Sequence, residues 1–344
     1  MSVADRDAST FADARRSAEM EALWREIRAR SAPLAGYADR PFGEERAFRN
    51  HLSTFCNDDM PPVQAISETY IRLESRSVPI EIVTPAEPRA GCILFLHGGG
   101  WVAGNLRTHA RMARVLANCT RFTVVSAEYR LAPEHPYPCG LDDAEACWRW
   151  LAGGGSGLVD RSGAIGVAGD SAGANLALAL LLKSASVSAA RADFGLLFYG
   201  VFSEAFDSPS CRAFGDGRFG LSVTALKRYR DMYLPEAADR GDMLANPLLA
   251  GDEHLRELPP LCLVGAALDP LLCDTLILAD RLRRLGREPV LCVGPGMHHG
   301  FMQWSGRLKA ADAAFETAGR FASAIAEGAS PSRGRTGGPS VSPG

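Results

Sequence analysis

From residue 91 onward the chain alternates short apolar runs with stretches of helical character. This alternation constrains the fold more than any other feature. The apolar runs are 92–96, 122–126, 164–168, 195–198, 261–264 and 290–293. The helical stretches include 108–118, 142–151, 172–183, 224–233, 273–285 and 308–326. A strand with one wet face alternates polar and apolar residues, whereas a run apolar at every position must be covered on both faces. Such strands separated by helices predict an α/β fold, with a largely parallel sheet and helices on both sides.

The preceding residues differ in character. Residues 11–30 carry Phe11, Met20, Leu23, Trp24 and Ile27 near helical spacing among many charges, which predicts an amphipathic helix covering something apolar. Residues 57–62 (NDDMPP) are a turn-rich stop, and 66–74 and 78–84 read as a pair of edge strands. Residues 202–251 interrupt the alternation and are expected to form an insertion over the sheet edge, together with the N-terminal helices. The expected organisation is a helical cap segment at 1–62, an α/β unit at 63–327 and a disordered Gly/Ser/Pro-rich tail at 328–344.

Composition removes other classes. A net charge of −3 over 344 residues, with no basic stripe, argues against a nucleic-acid partner. No apolar run approaches the ~20 residues that span a bilayer, so no membrane segment is expected. The first ten residues lack a basic and then apolar leader, and the nine cysteines show no CxxC spacing. Together these predict a cytoplasmic protein with reduced thiols and no metal site.

Four motifs carry chemistry, each just after a predicted strand. Residues 97–100 read His-Gly-Gly-Gly. With seven His and 35 Gly in the chain, chance produces this tetrapeptide about 0.007 times per chain. Bare glycine amides suit an oxyanion hole, and the expected donors are Gly98, Gly99 and Ala172; losing one such donor costs on the order of 3 kcal/mol in a transition state. His97 is expected to fix the loop by a hydrogen bond. Residues 169–173 read Gly-Asp-Ser-Ala-Gly between a strand and an Ala/Leu-rich helix, the setting of a nucleophile elbow with Ser171 at its tip. Asp170 is expected to steady that elbow at the helix N-terminus.

Asp269 follows the strand at 261–264. It is preferred over Asp274, which falls in the first turn of the next helix, where acids are common for dipole reasons alone. His298 and His299 follow the strand at 290–293. The order Ser171, Asp269, His299 is that of the nucleophile, acid and base in hydrolases of this topology. Separations of 98 and 30 residues suit adjacent strand ends. Trp101 and Met297 are candidates for lining a substrate pocket, with core packing the alternative.

HGGGW, YRLAPEHPYP at 129–138, GDSAGAN, LDPL and HHGF together resemble the hormone-sensitive-lipase-like (GDXG) branch of the α/β hydrolases, bacterial acetyl esterases in particular. The resemblance spans about residues 66–326. It implies an eight-stranded, mostly parallel sheet, a helical cap, and neither metal nor organic cofactor. It also implies Ser171 as nucleophile, Asp269 as acid and His299 as base, because the family's base directly precedes Gly-Phe. Ala174 stands where the family often has Gly. The segment 129–138 reads as a Pro-rich structural turn.

The implied activity is hydrolysis of a small short-chain ester through an acyl-enzyme. An amide deacetylase or lactone hydrolase would use the same triad. A non-catalytic ligand-binding protein is the reading of another class: similar plant gibberellin receptors replace the His that is present here as His299. A lipase for long-chain fats is disfavoured by the absence of a leader, and a homodimer through edge strands or cap helices stays open.

Overall fold

The computed structural model describes residues 15–31, 42–185 and 191–328. In chain order its main elements are α1 (Ala18–Ser31), α2 (Phe42–Cys56), β1 (Ala65–Arg72), β2 (Ser77–Thr84), β3 (Gly91–Leu96), α3 (Ala110–Thr120), β4 (Thr123–Ala127), α4 (Cys139–Ala152), β5 (Ala164–Asp170) and α5 (Ala172–Ala185). They continue with β6 (Phe194–Phe198), α6 (Pro209–Phe214), α7 (Val223–Tyr233), α8 (Asp252–Glu257), β7 (Leu261–Leu268), α9 (Leu272–Arg284), β8 (Val290–His298) and α10 (Lys309–Ala326).

The strands form one eight-stranded sheet in the order β1-β2-β4-β3-β5-β6-β7-β8. It is antiparallel through β1, β2 and β4, and parallel from there on. Successive side chains of a strand face opposite sides, and the buried residues divide accordingly. Leu94 and Leu96 of β3 join one cluster with Leu141, Trp148, Leu178 and Leu278, while Ile93 and Phe95 join a second with Met112, Leu116, Phe315 and Phe321. Helices α4, α5 and α9 thus cover one face, and α3 and α10 the other. The runs are apolar because both faces are covered. Helix α5 (AGANLALALLLKSA) is buried along nearly its whole length, which explains its lack of a polar stripe.

Helix α1 begins later than the expected 11–30, and residues 1–14 lie outside those described. Met20 and Leu23 are buried in the second cluster, so α1 is part of the core rather than a separate piece. The insertion at 202–251 reaches the C-terminal ends of the strands from β3 to the edge strand β8. Its Tyr229 packs on Gly100 after β3, and its Phe219 ring meets His298 at the end of β8. The expected tail at 328–344 lies outside the described residues, apart from Gly328. Among the described residues no helix is long and apolar enough to cross a membrane.

The strand order reverses beside β3, whose neighbours are β4 and β5. The loops after β3 and β5 therefore meet over a crevice at the C-terminal ends of the strands, where open α/β sheets bind ligands.

Candidate active site

Register brings the motifs together. Leu96 pairs with Gly169, so the next residues, His97–Gly98 and Asp170–Ser171, emerge side by side. On the neighbouring strands Leu268 pairs with His298, so Asp269 and His299 also emerge side by side. That second pairing depends on an irregularity: β7 advances from Ala266 to Leu268 while β8 advances from Gly294 to His298. Extra residues in one strand re-aim the side chains beyond them, a recurrent device next to active sites. The run predicted at 290–293 therefore continues to His298.

Ser171 sits at the turn from β5 to α5 with φ of +54°, a conformation that costs a non-glycine residue on the order of 1–3 kcal/mol. The turn is fixed by its amide, which donates to Phe198 O at 2.8 Å, and by its carbonyl, which accepts from Ala174 and Asn175. Close approach explains the flanking glycines: a Cβ on Gly173 would lie 2.0 Å from Leu96 O.

His299 Nε2 lies 2.8 Å from Ser171 Oγ, and His299 Nδ1 lies 2.8 Å from Asp269 Oδ2. Asp269 is fully buried, and its Oδ1 accepts the Leu271 amide at 2.8 Å. A carboxylate facing Nδ1 keeps the proton there, which leaves the Nε2 lone pair for the serine hydroxyl. Tyr199 presents its ring to the His299 imidazole at 5.0 Å.

The rival residues are occupied elsewhere. His298 turns away from Ser171 and accepts from Arg16 Nε at 2.7 Å, between the rings of Trp24 and Phe219. Burial, then the Arg16 charge, lowers its pKa to about 4. Asp274 is in the first turn of α9 as expected, but its Oδ2 also accepts the amides of Phe202 and Ser203 and anchors the start of the insertion. Burial raises its pKa to about 7 against the pull of those two amides. Sequence reasoning missed this anchor, because its partners lie some 70 residues upstream.

The glycine loop departs from expectation at one position. The Gly98 amide donates to Asp170 Oδ1 at 2.7 Å, so it is not available to a substrate oxygen. Asp170 therefore ties the elbow to the loop instead of capping its own helix. Among the described residues, the amides of Gly99, Gly100 and Ala172 donate to no protein acceptor. Gly99, Gly100 and Trp101 take φ of +130°, +63° and +60° in succession. The left-handed conformation costs an L-residue such as Trp101 about 1–2 kcal/mol.

Trp101 is buried and stacked on Tyr233 at 4.4 Å, and Met297 is buried in the second core cluster. Met297 thus follows the core-packing alternative: it sits in the irregular part of β8, where Gly294 leaves room for it and Phe301. His97 hydrogen-bonds through Nδ1 to Gly98 O at 2.9 Å and stacks on Tyr129, whose hydroxyl donates to His97 O at 2.6 Å. Burial, then the neighbouring His109, lowers the His97 pKa to about 3, so the ring is neutral. The turn at 129–138 thus buttresses the glycine loop.

Asp170 has further partners that the sequence did not suggest. His109 Nε2 lies 3.4 Å from its Oδ1 and 3.1 Å from Gln303 Nε2, just past the His299 loop. Burial alone would raise the Asp170 pKa; His109 and the Gly98 amide outweigh it and hold the carboxyl below the usual range. Among the described residues no three His, Cys, Asp or Glu are grouped to hold a metal ion.

Comparison with known proteins agrees with this architecture. Residues 93–303 match the family defined by the alpha/beta hydrolase fold. An esterase from the hyperthermophilic archaeon Pyrobaculum calidifontis is 25% identical with a TM-score of 0.82, over 91% of this chain and 98% of that one. An ester hydrolase from the metagenome of Lake Arreo is 29% identical with a TM-score of 0.82, over 91% and 99%. A thermostable esterase from Pseudomonas putida is 28% identical with a TM-score of 0.77, over 82% and 89%. With more than half of its length matched, the chain belongs to the α/β-hydrolase family, in the hormone-sensitive-lipase-like branch.

Proposed function

We propose that this protein hydrolyses short-chain acyl esters of small alcohols, with Ser171 as nucleophile, His299 as base and Asp269 as the acid that orients it. The chain is an esterase-type α/β hydrolase. The observation that supports the narrower reading is the unbroken contact from Asp269 through His299 to Ser171, each link at 2.8 Å.

In the first step His299 Nε2 takes the Ser171 proton as Oγ attacks the ester carbonyl. The imidazolium that forms is stabilised by buried Asp269. The amides of Gly99, Gly100 and Ala172 receive the developing oxyanion, with Gly100 in place of the expected Gly98. His299 then protonates the departing alcohol, and water activated by the same ring releases the acid.

The test is a rate profile over p-nitrophenyl esters from acetate to decanoate, with an amide and a lactone alongside. Fastest turnover on the shortest esters, abolished by Ser171→Ala in a folded protein, is the expected result. Residual turnover within a few-fold in that variant overturns the assignment, and faster turnover of the amide or lactone overturns the ester preference.

A further inference from the structure

Three consecutive residues with positive φ, one of them a tryptophan, need something to hold them. Two tyrosines one turn apart on α7 lie against them. A Cβ on Gly100 would fall 2.7 Å from Tyr229 Cδ2, so the Tyr229 ring rests directly on that backbone. Tyr233 lies flat on the Trp101 indole, 4.4 Å between centroids and 1° from parallel. Both tyrosines are buried, although α7 belongs to the insertion rather than to the sheet and its covering helices.

The tyrosines are themselves held. Arg49 of α2 donates to the Tyr229 hydroxyl at 3.2 Å, and Tyr233 O accepts the Tyr137 amide at 2.9 Å. Among the described residues, Trp101 Nε1 and the Tyr233 hydroxyl are buried without a hydrogen-bond partner, so the contact between the two rings is one of shape and stacking.

We propose that Tyr229 and Tyr233 are positioning residues which clamp the Gly99–Trp101 turn, so that seating of α7 assembles the oxyanion hole. This rests on the reading of the Gly99 and Gly100 amides as its donors. The insertion then acts on the chemical step itself. A clamp that sets amide direction acts on the transition state more than on the bound ester, so its loss lowers kcat and spares KM.

The experiment measures kcat and KM on p-nitrophenyl acetate for Tyr233→Leu, Tyr233→Phe, Trp101→Gly and the Tyr233→Leu/Trp101→Gly pair, with Ser171→Ala alongside. Tyr233→Leu is expected to lose roughly a hundredfold in kcat with KM within about threefold, the size of a lost oxyanion donor. Tyr233→Phe keeps the ring and restores most of that loss. Once Trp101→Gly has removed the stacking partner, Tyr233→Leu adds less than about threefold, as coupled sites do. If the leucine variant does not fold, Tyr233→Met takes its place.

A Tyr233→Leu kcat within about threefold of the parent, or losses that multiply independently in the pair, overturns the clamp. With Ser171→Ala inactive, either result leaves the esterase reading standing. Activity surviving in Ser171→Ala removes that reading and the clamp with it.

Discussion

Arg16 Nε donates to His298 Nε2 at 2.7 Å, across 282 residues of chain. The guanidinium also lies over the rings of Trp24 and Phe219, so the residues around the start of α1 and the insertion close on one imidazole. The neighbouring imidazole, His299, faces Ser171. Two adjacent histidines thus hold different positions: one joins the covering elements and the other reaches the nucleophile.

The two histidines are expected to differ in consequence. His299→Ala should lower kcat at least roughly a thousandfold, the scale of removing a triad member. His298→Ala should leave kcat within about tenfold and lower the melting temperature instead, because the Arg16 Nε–H loses its acceptor. Steady-state kinetics with thermal melts separates them; a larger kcat loss at His298 would move the base.

Asp170 is expected to matter through Gly98. Asp170→Ala leaves a buried amide unpaired and removes one partner of His109, whereas Asp170→Asn keeps an acceptor carbonyl for Gly98. The alanine variant should lose more kcat than the asparagine variant. Gly98→Ala should mimic the alanine variant, because its Cβ would meet Asp170 Oδ2 at 2.6 Å. Equal activity across all three at unchanged KM would show that the link is unimportant for turnover.

Asp274 predicts an unusual pH dependence of stability. Its pKa is raised by burial from the ordinary 3.8 to about 7, so the native state holds the proton more tightly than the unfolded chain. Its contribution is full below about pH 4 and is lost as the pH rises through about 7. His298 has the opposite sign: its pKa falls from 6.5 to about 4, so the neutral ring supports the fold above 6.5 and that support is lost as the pH falls toward 4. Asp274→Asn should therefore gain in melting temperature over the parent as the pH rises from 4 to 7. A difference independent of pH over that range would refute the account.

Removing residues 1–30 should cost stability as well as alter specificity. Met20 and Leu23 are buried, and each such side chain contributes about 1.5–3 kcal/mol. A fall in melting temperature of roughly 5–10 °C is expected, with a shift in chain-length preference on p-nitrophenyl esters. Unchanged kinetics would show that this segment leaves the acyl pocket alone.

Much of this protein is written locally. The runs at 92–96, 164–168 and 261–264 are apolar at every position because each strand is covered twice, and that pattern survives in one dimension. The glycines around Ser171 and the histidine before Gly300 are equally legible, since a sharp turn restricts residue type at the turn itself.

The succession of strands and helices, and the loops that bear chemistry, can therefore be read from the residues in order along the chain. The partners those loops find are set by folding in three dimensions. Folding gave the Gly98 amide to Asp170, Met297 to the core, His298 to Arg16 and Asp274 to the insertion. The three polar outcomes join residues some 70 or more apart in the chain through strand register and the seating of covering helices. A local pattern reports which way a side chain must face to bury its apolar atoms; it carries no record of which distant amide or carboxylate will be waiting there.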